Sequence, residues 1–169
     1  MAQAILQGIL LGGVFALAGI GMSMIFGIVK LTNLAHGEFL ILGAFLSSLF
    51  SKIFGLPPLL TILIVAPIMF FFGYMVQGGL INRVMGKGDE PPLLVTFGLS
   101  FIIQNALLLI FSADPQMLKT SYQIASIKIS SGLSIPVLYL INFGVCVAVI
   151  VLLNVFLKYT YMEIGRAHV

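Results

Sequence analysis

Residues 4–29, AILQGILLGGVFALAGIGMSMIFGIV, form an uncharged run whose reading decides the fold. A bilayer core takes about 20 apolar residues as helix, because only a helix or a closed barrel satisfies every backbone hydrogen bond in hydrocarbon. The run is long enough to cross once. It lacks a basic leader and a small-residue cleavage site before a polar domain, so it is expected to stay as a first span rather than to be removed. Lys30-Leu31-Thr32-Asn33 ends it.

Four more runs of similar character follow, at about 34–54, 59–81, 93–112 and 134–157. Gly55-Leu56-Pro57-Pro58 separates two of them, since paired prolines are tolerated at a helix start and not inside one. Pro67 is expected to kink the third span. Asn82 to Pro92, with Arg83, Lys87, Asp89 and Glu90, reads as a short polar loop. Ala113 to Leu133 is mixed and is expected outside the hydrocarbon, with a short apolar piece, Ile124 to Ile129, forming local structure. Lys158-Tyr159 sits at the end of the last run like an interfacial anchor. The predicted fold class is all-α, a polytopic transmembrane helix bundle of about five spans.

Composition agrees. The 169 residues are 60% hydrophobic and 8% charged, with a mean hydropathy of +1.20, whereas an ordinary soluble domain carries about 25% charge. Lipid must replace water around most of the chain. The net charge of +3 comes from basic residues scattered singly, which serves topology and makes no nucleic-acid surface. The single cysteine, Cys146, lies in an apolar run and supplies neither a disulfide framework nor a metal cluster. An outside N-terminus places Lys30, Arg83, Lys87 and Lys158 in the cytoplasm against Lys52, Lys119 and Lys128 outside, a slight positive-inside bias.

Three groups of residues invite a role. Ala4, Gly8, Gly12 and Ala16 recur every four positions and make a smooth ridge for close helix packing. The same glycines would also let the helix bend beside a translocation path. Thr32-Asn33-Leu34-Ala35-His36-Gly37-Glu38 reads as a helix start, capped by Thr32 or Asn33 with Glu38 near the first turn. Capping leaves unexplained two ionisable side chains beside an apolar span, where such groups usually face a bundle interior or a wet cavity. Thr96, Ser100 and Gln104, spaced by four, share one side of the fourth span and serve either interhelical hydrogen bonds or a polar path. His36 and Glu38 do not make a zinc deaminase, which needs a following Pro-Cys-x-x-Cys. The other histidine, His168, is at the tail, so no nucleophile and base can be paired and no enzyme is expected.

Gly12-Gly13-Val14-Phe15-Ala16-Leu17, then Ile25-Phe26-Gly27-Ile28-Val29 and Asn33-Leu34-Ala35-His36-Gly37-Glu38-Phe39, closely resemble branched-chain amino acid ABC permeases. The Asn-x-Ala-His-Gly-Glu string is highly specific. Leu93-Leu94-Val95-Thr96-Phe97-Gly98-Leu99-Ser100 and Gln104-Asn105 look like a later span of that family. The resemblance covers about residues 1 to 162 and suits the shorter of the two permeases in such importers.

The resemblance implies a multi-pass subunit of the bacterial inner membrane with its N-terminus outside. It implies a second permease subunit enclosing the path, two cytoplasmic ATPases that use ATP, and a periplasmic solute-binding protein. The chain itself is expected to bind no cofactor and no metal. Asn33, His36 and Glu38, then Thr96, Ser100 and Gln104, are the residues expected along the substrate path. The alternative is a membrane scaffold or assembly subunit, for which the small-residue ridge would suffice but the His-Gly-Glu string has no purpose. Lys158-Tyr159-Thr160-Tyr161-Met162 looks like the start of the family's coupling segment. Glu163 to Val169 is expected to be a non-native tail, residues 1–162 being the N-terminal part of a longer transmembrane domain.

Overall fold

The computed structural model describes residues 2–88, 90–112, 126–130 and 133–166. Five helices carry the chain: α1 Ala2–Val29, α2 His36–Phe54, α3 Pro58–Val76, α4 Glu90–Phe111 and α5 Val137–Arg166. Each is long and apolar enough to cross a membrane. The chain is a multi-pass helical membrane protein. Two strands, β1 Ser126–Ser130 and β2 Leu133–Pro136, form an antiparallel ribbon with Lys128 opposite Ser134. The ribbon supplies the local structure expected near Ile124 to Ile129, while residues 113–125 lie outside those described. It also moves the last span: Ser134 pairs in β2, and α5 begins three residues later than its apolar run. α5 continues to Arg166, and residues 167–169 of the tail lie outside those described.

Helix ends follow local chemistry. α2 stops at Gly55, which takes the left-handed conformation (φ 65°) that glycine adopts without steric cost. α1 and α4 stop in the same way without glycine, at Lys30 (φ 53°) and Ser112 (φ 63°). In each case the terminal N–H reaches back four residues, to Phe26 O and to Leu108 O, both at 2.9 Å. α3 opens on Pro58, where a missing N–H is harmless. It retains Pro67 in its interior and passes into a π-helical turn, Gln77–Ile81, containing Gly78 and Gly79. α4 begins at Glu90, three residues before its apolar run, because Pro91 and Pro92 fit a first turn. The polar loop is correspondingly shorter than the sequence suggests.

The chain divides into two units, Met22–Leu118 and Met1–Gly21 with Lys119–Val169. In the first, α2, α3 and α4 enclose a core of Leu31, Ala35, Val76, Ile81, Leu99, Ile103 and Leu107. Phe39 meets Phe72 edge to face at 5.7 Å, and Phe45 lies 4.6 Å from Phe111. Ser47 and Thr61 join α2 to α3 through hydroxyls 2.6 Å apart, and Ser51 closes the corner by donating to Leu56 O at 2.7 Å. α4 is the most enclosed span, with 22% of its window buried against 11% or less elsewhere. In the second unit, α1 and α5 approach closely where Gly13 faces the Phe143 ring. Large apolar side chains such as Leu63, Phe70 and Leu109 point outward, as lipid contact requires.

Candidate functional site

The link from α1 to α2 is held by its own polar groups. Asn33 is buried, and its Oδ1 accepts the Ala35 N–H at 2.9 Å, closing a tight Asx turn. The Asn33 carbonyl accepts the His36 N–H at 3.3 Å, and the fully buried Ala35 accepts the Phe39 N–H at 3.0 Å. The first capping position falls on Ala35, which has no side-chain cap. Asn33 thus shapes the turn before the helix rather than capping α2 itself. Only a small side chain fits at Ala35 because Leu31 and the core pack around it.

α4 clamps this turn. Thr96 is fully buried; its Oγ1 accepts the Leu34 N–H at 3.3 Å and donates to Leu93 O at 3.0 Å. Thr96 therefore positions the segment that carries His36 and Glu38. Ser100 is half-buried and donates to Phe97 O at 2.7 Å, while Gln104 is exposed. The three do not form one straight face: four residues turn a helix through about 400°, so each step winds the row on by about 40°. The buried line on α4 is Thr96, Leu99, Ile103 and Leu107 instead.

His36 and Glu38 are both half-buried at the start of α2. Two positions apart on a helix, they point to different sides and cannot act as a facing pair. Among the described residues no three His, Cys, Asp or Glu side chains come together as a metal site. What the turn offers is one imidazole, one carboxylate and a tightly held backbone at the end of a span. Gly37 between them is exposed, with open space around it.

The small-residue ridge lies outward. Ala4, Gly8, Gly12 and Ala16 are all exposed, and nothing stands within 4 Å of a Cβ built on Gly8 or Gly12. The close approach occurs at Gly13, one position off the ridge, which periodicity had no means to single out. A groove of about 620 Å³ between α2, α3 and α4 is walled by apolar side chains, among them Leu46, Phe72, Leu80, Ile103 and Phe111. It offers no partner to a charged solute and suits hydrocarbon.

Comparison with known proteins places the geometry in a lineage. Residues 4–169 match the family described as branched-chain amino acid transport system / permease component, and the chain belongs to that family. It is 30% identical over 115 residues to the high-affinity branched-chain amino acid transport system permease protein BraD of Pseudomonas aeruginosa, covering 63% of this chain and 38% of that protein. It is 40% identical over 45 residues to permease protein LivH of the corresponding system in Escherichia coli, covering 27% of this chain and 15% of LivH. LivH of Salmonella typhimurium matches to the same extent. The matched stretch thus spans well under half the length of these relatives. No solved structure matches.

Proposed function

We propose that the chain supplies part of the transmembrane path of an ATP-driven importer for branched-chain or related amino acids in the bacterial inner membrane. Family membership across residues 4–169 is the observation that carries this reading. A second permease subunit encloses the path from the other side, two cytoplasmic ATPases hydrolyse ATP, and a periplasmic binding protein delivers the solute. The chain itself binds no cofactor in this scheme. It forms and breaks no covalent bond; it changes which side of the membrane the path opens to.

Asn33, His36 and Glu38 are the residues we assign first to the path, then Thr96, Ser100 and Gln104, with Asn33 and Thr96 serving it by holding the turn rather than by touching solute. A free amino acid is a zwitterion, so a carboxylate such as Glu38 suits its ammonium end and an imidazole such as His36 its carboxylate end, at separate points along the path rather than as one facing pair. Ionisable groups beside a span are costly, which favours a use for both. Thr96 serves by holding their turn, since its hydroxyl is engaged on both sides. The outward ridge of Ala4, Gly8, Gly12 and Ala16 would let a partner helix approach closely.

The test is uptake. Deleting the encoding gene from its host should lower accumulation of radiolabelled leucine, isoleucine or valine, and the restored gene should return it. Unchanged uptake of all three, with the gene shown to be expressed in the parent strain, would exclude branched-chain solutes.

A further inference from the structure

A cavity of about 650 Å³ lies where the end of α1 meets the turn before α4. Its walls divide by chemistry. Phe26, Leu31, Met85 and Leu93 supply apolar surface, whereas Lys30 and the backbone of Gly86 and Gly88 supply the polar part. All of these residues belong to one unit, Met22–Leu118. Phe26 is in the last turn of a span and Leu93 in the first turn of another, so the apolar wall sits at the edge of the hydrocarbon. Lys30 and the glycine turn stand at the level of lipid headgroups.

The backbone here is unusual on both sides of the cavity. Lys30 holds φ 53°, a conformation that a lysine adopts at a steric cost. Gly86 and Gly88 hold φ 82° and 105°, with Lys87 exposed between them. Open space surrounds both glycines, so the turn presents bare backbone rather than side chains.

We propose that this cavity binds the headgroup of an anionic phospholipid, its phosphate beside Lys30 and the backbone of Gly86 and Gly88 and the head of an acyl chain against Phe26 and Leu93. Basic pockets between transmembrane helices on the cytoplasmic side hold anionic headgroups. The divided lining fits an amphiphile. A free phosphate would leave the apolar wall uncovered, and a hydrocarbon would strand the Lys30 ammonium. Glu90, which opens α4, is not on the wall; Asp89 precedes it in sequence and lies outside the described residues. Lys30 is the one cation among the lining residues, so the site suits a single phosphate, as in phosphatidylglycerol, and not a doubly charged cardiolipin.

The experiment is native mass spectrometry of the full chain in detergent, offered phosphatidylglycerol, phosphatidylcholine with the same acyl chains, or inorganic phosphate. Phosphatidylglycerol should be retained in preference to phosphatidylcholine, and equimolar inorganic phosphate should not displace it. Lys30→Gln should weaken retention about fivefold, the effect of one interfacial charge. Lys30→Arg should keep binding, which separates charge from folding. Lys158→Gln, at the end of another span, should change nothing. Equal losses from Lys158→Gln and Lys30→Gln would reduce the effect to general attraction and overturn the proposal. Displacement by inorganic phosphate, or equal retention of phosphatidylcholine, would overturn it too.

Discussion

Placing an alanine at Gly13 tests the close approach of α1 and α5. A Cβ there would stand 2.6 Å from Phe143 Cδ2 and 3.1 Å from Cε2, where ordinary contact begins at 3.4 Å, so one side must yield by 0.8 Å. Overpacking of this kind costs about 1–3 kcal/mol. Alanine is the better helix former by about 0.8–1 kcal/mol, which offsets part of that cost. The expected net loss for Gly13→Ala is therefore about 1–2 kcal/mol. Gly12→Ala is the internal control, because nothing stands within 4 Å of a Cβ at that position. It should be neutral or stabilising by up to about 1 kcal/mol. Unfolding of the detergent-solubilised chain by sodium dodecyl sulfate, followed by circular dichroism, compares the two. Phe143→Leu in the Gly13→Ala background should recover much of the loss, with a coupling of about 1 kcal/mol or more in the double-mutant cycle. Equal midpoints for the two alanine variants, together with a coupling near zero, would refute the claim that α1 and α5 meet at this glycine.

Thr96→Val keeps the shape of the side chain but strands the Leu34 N–H; at a bond length of 3.3 Å the expected loss is about 1 kcal/mol, read in the same unfolding assay, and Thr96→Ser should retain most of it. Glu38→Gln or His36→Ala, made in the gene that supports uptake, should reduce amino acid accumulation about tenfold while membrane insertion is unchanged, the loss of one charge-assisted hydrogen bond; wild-type uptake by both would return these residues to a purely structural role. In a chain whose Cys146 is replaced by serine, a cysteine at Gln3 should react with an impermeant maleimide in intact cells and one at Lys87 should react only after lysis. Reaction at Lys87 in intact cells would invert the topology.

The spans were legible because hydrocarbon imposes a length and a polarity that a single sequence displays. Residues 4–29 need no partner to declare themselves a membrane helix. Their ends were less legible. Pro91 and Pro92 read as loop residues, yet they start α4, since a proline is harmless in a first turn. Ser134 read as the start of the last span, yet β2 takes it, because its backbone pairs with Lys128 across the ribbon.

For the site, residue types and spacing singled out Asn33, His36, Glu38 and Thr96, and family resemblance gave them a context. That a hydroxyl on α4 should hold the backbone at Leu34, 62 positions away in sequence, was beyond any local pattern. Four-residue spacing put Thr96, Ser100 and Gln104 together on paper. The helical pitch of 3.6 residues instead winds that row from a buried position to an exposed one. By itself the sequence determined that this is a helical membrane protein of the branched-chain permease family, because hydropathy and a specific motif are properties of the chain alone. Only the tertiary structure decided which of its polar groups are spent on folding, such as Thr96 and Asn33, and which small residue meets a neighbour. Those facts depend on which helix faces which, and packing distances of a few ångströms are set by the three-dimensional arrangement and written in no single stretch.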